Sequence, residues 1–218
     1  MARRTMTTAA IAFTASTALS LLLTACGGSD DSPSDDIKGA DTGTNSPSAS
    51  ASASAASAVK RPDITLPSDF KLTFEDWSSS HAVEQAVLDD AKEQLRAGYA
   101  AIIAKQPDGG PALAFYDTES SLAQDRQWIK TYSDKDLTVF GDLPAFDPEV
   151  TLGSNKTSAS LNYCTDESKA YSRDRGTGKV EGNPAGTDPE IFYVVSLAKN
   201  AQGIWQNVST RSERGACQ

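Results

Sequence analysis

EIFYVVSLAKNAQGIWQNVSTR (residues 190–211) holds two extended runs around one loop. EIFYVVSLAK (190–199) concentrates Ile, Phe, Tyr and Val, whose branched and aromatic side chains suit a pleated, half-buried surface. NAQG (200–203) interrupts it with turn-forming residues, and IWQNVSTR (204–211) resumes it. The pattern predicts a β-hairpin. Upstream, KAYSRDR (169–175) and KVEG (179–182) flank Gly176-Thr177-Gly178 as a second hairpin. Residues 157–165 alternate, with Ala159, Leu161 and Tyr163 on one face and Ser158, Ser160 and Asn162 on the other. LTVF (137–140) and EVTLG (149–153) add two short extended candidates.

Before Asp136 the period changes. From Ser80 to about Lys105, apolar residues recur at Val83, Val87, Ala91, Leu95, Tyr99 and Ile102/Ile103, steps of three or four that make one buried helical face. Glu84, Asp90, Glu93 and Arg96 fall outside that face, and Pro107-Asp108-Gly109-Gly110 ends the helix. Pro111 opens a short second helix through Tyr116, and a third runs over about 119–134 with Leu122, Ile129 and Tyr132 inward and Trp128 beside them. Helices first and strands second argue for an α+β domain, the helices packed on one face of an antiparallel sheet.

Fifteen of the sixteen aromatic residues follow Arg61, so the 218-residue chain has one core-forming region, residues 62–218. That region carries 24 acids against 15 bases. A net charge of −9 without a basic stripe repels polyanions, which excludes nucleic acid as a partner; the acidity reads as solubility.

Residues 27–61 are of low complexity. From Ser46 to Ala58 every residue except Pro47 is Ser or Ala. Such a segment lacks the apolar surface to offset its ordering entropy, so a disordered tether is expected over 26–61, reaching roughly 30–35 Å r.m.s.. Residues 1–25 read as an export signal: Arg3 and Arg4 supply the positive start, and an apolar stretch diluted by Thr and Ser follows over 7–23.

Leu23-Thr24-Ala25-Cys26 is similar to the lipobox of bacterial lipoproteins. The resemblance implies transfer of a diacylglyceryl group to the Cys26 sulfur, cleavage before it, and anchoring on the outer face of the cell membrane. Two acyl chains, palmitate among them, hold stably where a single chain binds only reversibly. The domain, over about 80–218, resembles the cone-shaped nuclear-transport-factor-2-like fold. More narrowly it resembles secreted actinomycete lipoproteins with that fold, through PALAFY (111–116), LNYCTDES (161–168) and GIW (203–205) with Cys217 after it. The stretch GKVEGNPAGTDP (178–189) departs from the tight connection that fold implies. The fold expected is three N-terminal helices on a curved antiparallel sheet, and related folds pair as homodimers through the sheet.

With Cys26 given to lipid, Cys164 and Cys217 remain, an even number in an oxidising compartment, and one disulfide is expected. Closing about 53 residues is worth roughly 4 kcal/mol in the chain-entropy model. Cys164 lies on the strand face opposite Leu161 and Tyr163, so the bridge should staple the last strand to its neighbour away from the main core. A reactive or metal-bound thiol pair is the alternative, and it lacks a nearby histidine.

The single histidine, His81, stands at the start of the first helix, where it reads as a solvated residue. One histidine allows neither a Ser-His-Asp triad nor a multi-histidine metal site, and GTGK (176–179) lacks the rest of a phosphate loop. No cofactor motif stands out. Asp117, Glu119 and Asp166 are the acids placed to reach a cavity, and Tyr99, Tyr116, Trp128, Tyr132 and Tyr163 are the aromatic residues placed to line one. The expectation is a non-catalytic module binding a small ligand or an envelope protein. The alternative is an enolate-handling isomerase or polyketide cyclase using a pocket carboxylate.

Overall fold

The computed structural model describes residues 59–217; the leader, Cys26 and all but the last three residues of the expected tether lie outside them. Those three residues join the folded body. Val59 packs against the core and Arg61 pairs with Asp90.

Three helices follow one another: α1 (Ala82–Ile103), α2 (Gly110–Tyr116) and α3 (Glu119–Ser133). The apolar stripe of α1 is buried as expected at Val87, Ala91, Tyr99 and Ile102. Asp90 corrects the helical reading. Although assigned to the solvent face, it is fully buried, held by the Arg61 guanidinium and accepting a 2.8 Å hydrogen bond from the Trp205 backbone N–H.

The sheet has seven strands: β1 (Phe70–Phe74), β2 (Leu137–Leu152), β3 (Ser158–Asp166), β4 (Lys169–Asp174), β5 (Val180–Glu181), β6 (Glu190–Lys199) and β7 (Trp205–Arg214). Six run in the order β5-β4-β2-β3-β6-β7 with antiparallel pairing, and β1 adds to β2 in parallel. The α+β class and both hairpins stand as read, and so does the helices-then-strands order except for β1, which precedes α1. The long Gly/Pro-rich connection over 178–189 carries only the two-residue strand β5.

Two details differ from the reading of the sequence. LTVF and EVTLG are the ends of one strand, β2, rather than two strands. Its prolines are accommodated, Pro144 opposite Thr73 of β1 and Pro148 inside the bulge between Phe146 and Glu149. The first half of β2 pairs with β4 and the second half with β3. Gly141, with φ +98°, pairs at once with Ala170 of β4 and Phe70 of β1, and a side chain there would overlap the Lys169 carbonyl oxygen. Only glycine lets the sheet turn at that point. The second difference is β1 itself, whose partner lies some seventy residues away and which no local pattern announces.

Two apolar clusters fill the space between helices and sheet. One joins α1, α2 and α3 to β1 and the first half of β2 through Phe70, Tyr99, Leu113, Ile129 and Leu143. The other joins the first half of α1 to β3, β6 and β7 through Val87, Leu161, Val195 and Trp205. Cys164 and Cys217 form the disulfide, with Cα atoms 6.1 Å apart. The bridge does not join neighbouring strands. Cys164 is on β3, Cys217 follows β7, and β6 lies between them. The chain reaches back because Gly215, with φ +73°, turns it and donates its N–H to the Glu190 carbonyl.

Candidate functional site

A short hydrogen-bond chain begins where α2 meets α3. Asp117 ends α2 and is fixed from behind by β7: it bridges to Asn207, the Thr118 N–H donates to the Asn207 carbonyl at 2.9 Å, and the Gln206 amide donates to the Asp117 carbonyl at 3.1 Å. Thr118 then caps α3 by accepting from the Ser121 N–H. Asp117, Ser121 and Asp125 are spaced by four, which puts them on one face of the helix and its entry turn. That face meets α1 at Gln94. The Gln94 amide donates to Asp117 at 3.1 Å and to Asp125 at 2.7 Å, and the Ser121 hydroxyl donates to Asp117 at 3.3 Å.

Both carboxyls are buried, Asp117 4% and Asp125 8% exposed, and neither forms an ion pair among the described residues. Burial disfavours the charged form, and two adjacent carboxylates repel. Burial first, and the Asp125 charge second, push the Asp117 carboxyl up to about 8. Burial also raises Asp125, opposed by hydrogen bonds from Asp117 and Gln94. Near neutral pH Asp117 therefore keeps its proton.

Asp125 opens into a cavity of about 220 Å³ between α1, α3 and the far strands of the sheet. Its aromatic wall is Tyr99 from α1, Trp128 from α3, Tyr163 from β3 and Tyr193 from β6. Tyr163 and Tyr193 face each other in register and stack with ring centroids 4.9 Å apart. Tyr99 and Trp128 meet edge to face at 5.2 Å. Gly98 makes that approach feasible, since a β-carbon there would stand 2.9 Å from the Trp128 ring. Burial raises the titration of Tyr99, Tyr163 and Tyr193, so these phenols stay protonated and able to donate. A second cavity, about 140 Å³, lies on the other side of Tyr99 and is lined by Tyr132 and Glu167.

The five aromatic residues expected to line one pocket are thus divided. Tyr99, Trp128 and Tyr163 come together; Tyr132 lines the neighbouring cavity; Tyr116 lines neither, being fully buried beside Arg61. Of the three acids, Asp117 joins the buried network. Glu119 is exposed, and Asp166 caps a turn by accepting from the Ser168 N–H at 2.7 Å and its hydroxyl at 2.9 Å. Gln94, Asp125 and Tyr193 were missed. The four-residue spacing from Asp117 could have pointed to Asp125, but Tyr193 needed the β3–β6 register. His81 is exposed, 3.5 Å from Glu84. Among the described residues, no group of three or more His, Cys, Asp or Glu side chains could hold a metal ion.

No protein-family model and no curated protein sequence matches the chain. Solved structures give likenesses of shape at low identity. A nuclear transport factor 2 (NTF2-like) superfamily protein from Salmonella enterica serovar Typhimurium is 15% identical with a TM-score of 0.42, over 62% of this chain and 95% of that one. A ketosteroid isomerase-like protein from Erwinia carotovora atroseptica is 14% identical with a TM-score of 0.41, over 61% and 95%. ActVI-ORFA from Streptomyces coelicolor is 10% identical with a TM-score of 0.42, over 63% and 100%. At these scores the likenesses assign no activity to the chain. What can be said of its chemistry comes from its own cavity.

Proposed function

We propose that this chain is an exported, lipid-anchored envelope protein whose domain holds a compact ligand in the cavity between α1, α3 and the sheet. The observation that carries the binding role is the wall of four aromatic rings closed by one buried acid, Asp125. A concave, largely apolar site with a few convergent polar groups is the usual form of a small-molecule pocket. At about 220 Å³ it suits a ligand of one or two rings or a branched head group, below the common range of drug-sized sites. The export and anchoring part rests on the leader and on Leu23-Thr24-Ala25-Cys26.

One experiment addresses both parts: native mass spectrometry of the protein extracted in detergent from the membranes of cells that make it. The expected result is a polypeptide beginning at a diacylglyceryl-modified Cys26, carrying a bound small molecule that is lost in Trp128→Ala. An unmodified front end would overturn the anchor. A bare domain, with Trp128→Ala indistinguishable from the parent, would overturn the binding role.

A second reading is favoured by the carboxyl pair itself. Asp125 faces protonated tyrosines with a proton held on the neighbouring Asp117, an arrangement that could remove a proton beside a carbonyl and stabilise the enolate. Solvent deuterium would then enter cyclic ketones in the presence of the protein and not of Asp125→Asn. Equal exchange with and without protein would dismiss the enzyme.

A further inference from the structure

Among the residues lining the cavity beside Asp125, that acid is the single charged side chain, and no Lys, Arg or His accompanies it. Its hydrogen-bond partner is the neutral amide of Gln94, and its neighbour Asp117 is a second acid. Burying a carboxylate without a cationic partner is costly, and proteins usually answer that cost with a counter-charge. Here no described side chain supplies one. Tyr99, Trp128, Tyr163 and Tyr193 line the cavity with the acid; Tyr163 and Tyr193 cover one face of each other, and the remaining aromatic surface carries a negative quadrupole that attracts cations and does nothing for anions.

Resting on the binding role above, we propose that the cavity selects an organic ammonium ion, its alkylated nitrogen among the four rings and its charge offset by Asp125. A metal cation would gain little in this site. Beside its one carboxylate the lining offers only neutral hydroxyls and the amides of Gln94 and Gln124, too little charge to repay the dehydration of a divalent ion. An alkylated ammonium is weakly hydrated and apolar on its surface, so it loses little on entry.

The test is calorimetric titration of the intact chain in non-ionic detergent with tetramethylammonium, choline, and the uncharged carbon isostere of choline, dimethylbutanol. Charge selection predicts that choline binds about 10- to 30-fold more tightly than its isostere, the factor expected for desolvated cation–π contact of roughly 2 kcal/mol. Asp125→Asn should lose a similar factor for choline and little for the isostere. If Asp125→Asn does not fold, the comparison of choline with its isostere on the parent protein decides alone. Equal binding of the two overturns the ammonium inference and leaves the cavity as a ligand site. Binding of the isostere alone has the same consequence. Failure of every probe to bind overturns the inference and counts against the binding role with it.

Discussion

Replacing Asp117 with Asn should abolish much of the loss of stability that the protein shows as pH rises from about 5 to about 8.5. In the folded chain burial and Asp125 hold the Asp117 midpoint at about 8, against an ordinary 3.8. Through the window between them the folded state keeps the proton and the unfolded chain has released it. Because the folded midpoint is raised, the contribution is complete below about pH 4 and is lost as pH climbs through 8. At roughly 1.4 kcal/mol per pH unit the full interval would amount to about 6 kcal/mol. Hydrogen bonds from Gln94 and Ser121 favour the ionised form, so about 2–4 kcal/mol is expected. Asn keeps the size of the protonated acid and cannot ionise. Urea unfolding of both proteins at about pH 5 and about pH 8.5, extrapolated linearly, gives the difference directly. Every other titrating group is common to both, so only the change in pH dependence matters. Parallel profiles for the parent protein and Asp117→Asn would refute the buried-proton account.

Two further outcomes follow from the packing. Arg61→Ala leaves the buried Asp90 carboxylate without its guanidinium and should cost about 2–4 kcal/mol, toward the lower end because Arg61 is half exposed; unchanged thermal unfolding would show that the residues just before Pro62 do not hold the body. Opening the Cys164–Cys217 bridge, by reduction or as Cys164→Ala with Cys217→Ala, should cost about 2–4 kcal/mol, read as a lower melting temperature that reducing agent no longer changes in the double variant.

Much of the architecture was legible because it is written in local periods. The stripe from Val83 to Ile102 and the alternation over 157–165 each repeat within a few residues, so one strand or one helix suffices to read them. The hairpin around NAQG is likewise local. Strand β1 was not legible, since FKLTF is short and its partner begins at Gly141. Asp90 was misread for a related reason: helical spacing puts it outside, and only the return of β7 and the arrival of Arg61 cover it. Tyr116 was misplaced because its burial in the first apolar cluster depends on residues remote in sequence, which leave no trace in its neighbours.

By itself, then, the chain's sequence determined an acidic α+β domain, its cysteine pair and the run of three helices followed by hairpins. Aromatic residues in quantity were visible too, but not which of them meet. Tertiary structure alone decided that Tyr193 stands opposite Tyr163, that Tyr132 looks into a different cavity, and that Gln94 brings Asp117 and Asp125 under one amide. Periodicity reports which way a side chain faces within its own element. A buried proton and a ring-lined cavity depend on distances between elements, and those exist only once the sheet has curled against α1 and α3.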